Sequence, residues 1–225
     1  MQLLAILGRG IRKKQDGSWV PARDLEMYGD NFAPIVELRP VNDDDPNCLV
    51  GGGELNIRAG AKLIESYQST LELVVCAYGG RSRYLTNVNG PSEAEIMTLY
   101  LAQFVPWSAT PILVWPREQQ AQSGKTNTDQ ELANIFALAV NRGYTEVGIV
   151  TVLAHYARTV LMASRHLQNP AFVHLKLECF VSEGVLLRYN PDMEERIKKL
   201  HASRAFMRTM FYECRGLNAL LAGKY

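Results

Sequence analysis

One short segment places a hydroxyl, an imidazole and a guanidinium at a spacing that suits acid–base chemistry on an anion. Thr151 ends an apolar run, and His155 and Arg158 follow it. Because His155 and Arg158 are three positions apart, they share one face of the helix predicted to begin there. Such a histidine can act as a general acid or base, and the arginine can hold an anion. The other three histidines lack this context.

Two glutamates are the candidate carboxylates of the same site. Glu93 follows Ser92, which is predicted to cap a helix, so Glu93 falls in the first turn where the helix dipole favours a negative charge. Glu118 precedes the polar residues 119–128, a long loop of the kind that is often functional. We assign both glutamates a role in binding hydroxyl groups or in acting as a base, and Ser92 a role in binding.

The end of that polar loop carries a helix-start signal. Thr128 is followed three residues later by Glu131, which is the spacing of a capping box. Thr128 is therefore predicted to cap the next helix. Asn127 could cap it too, and we also count Asn127 among the candidate binding residues.

Glycine-rich turns directly follow several predicted strands. They are Gly8-Arg9-Gly10, residues 51–53 and Tyr78-Gly79-Gly80. Glycine lets the backbone approach a ligand, and the helix that follows offers unpaired N–H groups to an anion. Arg81, next to the third turn, could hold a phosphate or carboxylate, or could be a solvated loop charge. None of the turns is a dinucleotide-binding or Walker fingerprint, and no metal-ligand motif or G-x-S-x-G elbow occurs, so no metal site is predicted.

The elements that must position these residues alternate between strands and helices. Apolar runs at residues 3–7, 48–50, 71–77, 111–115 and 147–152 predict strands, and helical periodicity follows at about 55–67, after 91, after 128 and over 154–167. Continuous apolar strands suit a parallel sheet that is covered on both faces. We predict an α/β sandwich of three layers with a mainly parallel sheet, whose ligand binds at the carboxyl ends of the strands.

Two regions depart from this alternation within what we interpret as a single domain, residues 1–225. Residues 12–46 are predicted to be an excursion after the first strand, with a hairpin and a flexible loop. Residues 191–225 are predicted to form a C-terminal helical extension that packs on the sheet edge or on a second subunit. A homodimer through these helices is therefore one expectation.

The composition argues against a disordered, a nucleic-acid-binding and a membrane protein. The 225 residues are 47% apolar, which argues against intrinsic disorder, and the net charge of +1 provides no basic field for nucleic acid. The longest apolar runs are far shorter than the ~20 residues of a membrane span, so no membrane association is expected. Four scattered cysteines suggest reduced thiols, and a cytoplasmic location is the expectation.

The ordered set of motifs resembles the family of unknown function that includes YdcF, SanA and ElyC. The resemblance covers residues 1–167 and rests on short segments: Leu7-Gly8-Arg9-Gly10, Arg58, Tyr78-Gly79-Gly80, Ser92-Glu93-Ala94, Glu118, Asn127-Thr128, and Thr151 to Arg158. It implies a Rossmann-like fold and a polar pocket built from these residues, with Arg58 as an anion contact. Tyr78 and Val152 stand where the family pattern has serine.

These observations lead to three functional predictions. The leading one is a protein that binds a nucleoside- or phosphate-containing small molecule, with hydrolysis of that molecule left open. The alternative, which the resemblance implies, is S-adenosylmethionine binding, with or without methyl transfer, and the sequence identifies no other cofactor. The third is a non-catalytic sensor whose C-terminal segment, residues 206–221, contacts a partner.

Overall fold

The computed structural model describes residues 1–29, 40–77, 81–82, 91–105, 112–114 and 125–224. The strands are β1 (Leu3–Ile6), β2 (Ile11–Lys13), β3 (Trp19–Pro21), β4 (Leu25–Met27), β5 (Cys48–Val50), β6 (Leu73–Cys76), β7 (Arg81–Ser82), β8 (Ile112–Val114), β9 (Lys125–Thr126), β10 (Glu146–Thr151) and β11 (Lys176–Val181). The helices are α1 (Gly53–Tyr67), α2 (Glu93–Leu101), α3 (Thr128–Asn141), α4 (Leu153–His166), α5 (Ser182–Tyr189), a 3₁₀ turn (Pro191–Met193), α6 (Glu194–His201) and α7 (Arg204–Leu221).

A five-stranded parallel sheet forms the centre of the fold. Its strand order is β11-β10-β1-β6-β8, and each neighbouring pair runs parallel. The chain moves outward from β1 in one direction through β6 and β8, and in the other direction through β10 and β11. The strand order therefore reverses between β1 and β10, which is where α/β sheets of this kind bind their ligands.

Each face of the sheet is covered by helices because the strand residues alternate between the faces. Leu4 and Ile6 pack with α1 and α2 in one apolar cluster, whereas Leu3 and Ala5 pack with α3 and α4 in another. All four residues of β1 are buried. This arrangement confirms the predicted three-layer, Rossmann-like α/β sandwich, and α6 and α7 confirm its C-terminal helices.

The apolar run at Cys48–Val50 predicted a strand of the parallel sheet, and this prediction is wrong. The strand pairs antiparallel with β4 in a separate two-stranded sheet. The excursion also contains the antiparallel pair of β2 and β3. Near the end of the excursion, the Asp43 carboxylate accepts hydrogen bonds from the backbone N–H groups of Arg204 and Ala205 at 2.8 and 2.6 Å. Asp43 thereby fixes the start of α7.

No helix within the described ranges combines the length and the apolar character that crossing a membrane would require. Among the four cysteines, Cys48 and Cys76 are buried and Cys214 is exposed, and all are free thiols.

Gly52 is the cap of α1 and offers a stability prediction. Its φ is +83°, and an added Cβ would collide with the Val152 side chain at the start of α4. Gly17 has nearly the same φ, +84°, but nothing lies within 4 Å of its added Cβ. We expect Gly17→Ala to lower the free energy of unfolding by about 1 kcal/mol through backbone strain alone. Gly52→Ala should lower it by about 2 kcal/mol or more, since the collision adds to the same strain.

Urea unfolding of the parent and both variants measures the difference. Equal losses for Gly17→Ala and Gly52→Ala would show that α1 and α4 do not meet as closely as described.

Candidate functional site

His155 lies at the centre of a hydrogen-bonded chain of three side chains. Its Nε2 is 3.1 Å from the Thr128 hydroxyl oxygen, and its Nδ1 is 3.1 Å from the Glu213 carboxylate oxygen Oε1. The three residues come from the first turn of α3, the first turn of α4 and the middle of α7. A hydroxyl, an imidazole and a carboxylate are thus aligned at the carboxyl edge of β10, beside the reversal of strand order.

The protonation states follow from burial and from the partners. His155 is 2% exposed, and this desolvation lowers its pKa to about 4, so the imidazole is neutral at pH 7. The pKa of Glu213 is lowered to about 2 because His155, Arg9 and Arg158 favour its anion against the effect of burial. Nδ1 lies 3.1 Å from Glu213 Oε1, which only accepts, and 3.2 Å from Arg158 Nη2, which only donates. We assign the imidazole proton to Nδ1, because the Glu213 contact is the shorter one and Arg158 is already paired with Glu213 through its Nε at 2.8 Å. Nε2 is then left to accept the hydrogen bond of the Thr128 hydroxyl.

Two arginines surround the Glu213 carboxylate. Arg158 Nε lies 2.8 Å from Glu213 Oε2, and Arg9 Nη1 lies 3.6 Å from Oε1. Arg9 also donates to the carbonyl oxygens of Gly51 and Val50 at 3.0 and 3.2 Å, which ties the loop before α1 to the site. With His155 neutral, this cluster has two positive charges and one negative charge. It would attract an anionic ligand.

Glu93 lies against the turn that follows β1. The backbone N–H of Gly10 donates to its carboxylate, and a Cβ on Gly8 would fall within 2.8 Å of both carboxylate oxygens. Burial raises the pKa of Glu93 above its ordinary range. Gly8 and Gly10 were predicted to bring the backbone close to a ligand, and the structure shows the Gly10 N–H bonded to the Glu93 carboxylate.

The start of α3 differs from the predicted capping box. Asn127 is the cap, and its side-chain oxygen accepts from the Gln130 N–H at 3.0 Å. Thr128 is therefore the first helical residue, and its hydroxyl faces His155. Glu131 does not close a capping box either, because with Asn127 as the cap the third helical position is Gln130. The Glu131 side chain is buried, at 7% exposure. Burial, together with the charge of Glu93, raises its pKa well above the ordinary value.

The carboxyl ends of β1 and β10 carry further buried polar groups. Asn56 on α1 donates to the Leu7 carbonyl at 2.9 Å and accepts from the Ser182 hydroxyl at 2.6 Å, which fixes the end of β1. The Thr151 hydroxyl oxygen is buried without a hydrogen-bond partner among the described residues. A buried hydroxyl of this kind calls for a partner from outside this set.

The structure places the remaining candidates elsewhere or does not describe them. Arg58 is not brought to this cluster, because its guanidinium bonds Glu54 and stacks over Phe104. Ser92 caps α2 in a reciprocal capping box with Glu95. Arg81 lies in the short strand β7, next to β9. Four candidates lie outside the described residues: Tyr78, Gly79, Gly80 and Glu118.

Glu213 is the residue of this cluster that the sequence reading missed. It follows the buried Thr209 by four positions, so it lies on the inward face of α7. A carboxylate on the apolar face of an amphipathic helix was the available signal.

No three His, Cys, Asp or Glu side chains in the described parts of the chain are grouped as metal ligands. Comparisons with protein-family models, with curated proteins and with solved structures find no match. The resemblance to the YdcF, SanA and ElyC family therefore stays a prediction.

Proposed function

We propose that this protein binds a small molecule carrying a phosphate or a nucleoside at the carboxyl edge between β1 and β10, and that it hydrolyses a phosphoester bond of that molecule. His155 acts as the general base, and Glu213 holds the imidazole and stabilises the imidazolium that forms. The observation that carries this proposal is the chain from Thr128 through His155 to Glu213.

The supporting chemistry is that of proton transfer next to an anion. A base must be unprotonated when the reaction begins, and burial keeps His155 neutral at pH 7. Arg9 and Arg158 supply more positive charge than Glu213 cancels, which favours the charge of a phosphate ester. The Thr151 hydroxyl, for which the described residues provide no hydrogen-bond partner, lies at the same edge.

A thermal-shift series tests binding. We expect nucleotides or sugar phosphates at about 100 times their Kd to raise Tm by roughly 5 °C or more in a chain of this size. S-adenosylmethionine belongs in the same series, because stabilisation by it alone would favour the methyl-donor alternative. A series in which no phosphorylated compound raises Tm contradicts the proposal.

Hydrolysis is tested with the compound that binds best. His155→Gln should keep the ligand-induced rise in Tm but lower kcat/KM by about 10²- to 10⁴-fold, because glutamine cannot accept the proton. His174→Gln is the matched control, since His174 is exposed and away from the site, and it should leave both properties unchanged. Equal turnover by His155→Gln and the parent would show that His155 is not the general base of the reaction.

A further inference from the structure

The proposed function requires a base but leaves open which hydroxyl the base activates. Thr128 is the side chain that His155 Nε2 contacts, at 3.1 Å. Two ordinary explanations for a threonine at a helix start do not apply to it. Asn127 already caps α3, and the Thr128 side chain is half-buried, so its hydroxyl is not simply solvated.

The first turn of α3 also provides donors beside this hydroxyl. The N–H groups of Gln130 and Glu131 are bonded to the side chain and the carbonyl of Asn127. Among the residues that the structure describes, no acceptor is bonded to the N–H groups of Thr128 and Asp129. The N–H groups at the start of a 14-residue helix favour negative charge, such as that on phosphoryl oxygens.

We propose that Thr128 is a covalent nucleophile, and that its Oγ1 takes up the phosphoryl group of the substrate before water releases it. This inference rests on the proposed function, since it names the nucleophile of that reaction. In the first step the Oγ1–P bond forms and the ester P–O bond breaks. The hydroxyl proton passes to His155 Nε2 and then to the departing alkoxide. In the second step water attacks phosphorus and gives its proton to Nε2, the Oγ1–P bond breaks, and the proton returns to Oγ1.

The arrangement makes this nucleophile stronger than an ordinary threonine. Glu213 accepts a hydrogen bond from the Nδ1–H group, which leaves the lone pair of Nε2 directed toward Oγ1. A free hydroxyl is a weak nucleophile near pH 7, and an adjacent base held by a third group is the usual means of activating it. The carboxylate of the next residue, Asp129, contacts a different histidine: its Oδ1 lies 2.9 Å from His166 Nε2.

A fluorophosphonate probe tests the reactivity of Thr128 directly, without knowledge of the substrate. Attack by Oγ1 breaks the P–F bond and releases fluoride, and the proton leaves through His155. We expect intact-protein mass spectrometry to show one adduct, and peptide mapping to place it on Thr128. Thr128→Val, which keeps the shape of the side chain, should abolish the adduct, and Thr128→Ser should keep it. His155→Gln should slow labelling by about 10²-fold or more.

The matched control is Thr145→Val, which removes a hydroxyl at the opposite edge of the sheet and should leave labelling unchanged. An adduct that persists in Thr128→Val, or no adduct in the parent, overturns this inference. Failure of the proposed function is a separate result, since it appears as the lack of any phosphorylated ligand that raises Tm. Hydrolysis retained by Thr128→Val would indicate that His155 activates water instead, which also overturns the inference while the proposed function stands.

Discussion

Glu213→Gln is expected to lower the free energy of unfolding by about 3 kcal/mol at pH 7. The Glu213 side chain is 13% exposed and lies between two guanidinium groups, 2.8 Å from Arg158 Nε and 3.6 Å from Arg9 Nη1. Glutamine fills the same space but has no charge. The two arginines then face each other without a counter-charge, and a buried charge that loses its partner is among the more destabilising changes known. Urea unfolding at pH 7 measures the loss.

Glu195→Gln is the matched control, because Glu195 pairs with Lys198 while its side chain is 76% exposed. That exposed pair should contribute less than about 0.5 kcal/mol. If the two substitutions have equally small effects, Glu213 does not hold the arginines together. The control also shows whether the lower stability comes from losing any carboxylate or from losing that of Glu213.

The central sheet could be predicted from the sequence because its strands are buried on both faces. The apolar runs that contain β1, β6 and β10 have few polar residues, and glycine or small polar residues follow them. The same rule assigned Cys48–Val50 to the parallel sheet, and this was wrong. Apolar character predicts that a strand is buried but does not identify its partner, and β5 pairs with β4 and lies against α7 instead.

The strand β11 at one edge of the sheet was not predicted, because charged residues interrupt its apolar run. Lys176 and Glu178 are exposed, and the other four strand residues are half-buried. An edge strand with charged residues lacks the continuous apolar run that indicated the others. No glycine or proline separates β11 from α5, so the sequence also lacks a signal for the boundary between them.

One part of the candidate site could be predicted from residues close together in the sequence, and the other part depends on a contact between distant residues. His155 and Arg158 could be paired from the sequence because helix geometry relates residues three apart. Glu213 joins them from 55 or more residues further along, and no local pattern reports that contact. Its position depends on contacts that place α7, such as Asp43 at the helix start and the Thr209 hydroxyl that accepts the Val50 N–H at 2.9 Å.

The second large effect is a loss of stability in mild acid. His155 has a pKa of about 4 in the folded protein, against 6.5 for an exposed histidine, because burial disfavours its charged form. Below pH 6.5 the unfolded chain binds a proton at this residue while the folded protein does not, so the free energy of unfolding falls as the pH falls. The fall continues until the pH reaches the folded pKa, and it amounts to about 3 kcal/mol between pH 6.5 and 4.

Other buried acids contribute to the same curve, so the test is a difference between variants. The lowered pKa of Glu213 adds a further loss between pH 4.5 and about 2, whereas the raised pKa values of Glu93 and Glu131 act in the opposite direction. Urea unfolding of the parent and of His155→Gln at several pH values between 7 and 4 isolates the histidine. The parent should lose about 3 kcal/mol more than His155→Gln across this window, and His174→Gln should follow the parent. Parallel curves for the parent and His155→Gln would mean that burial does not lower the pKa of His155 in the folded protein.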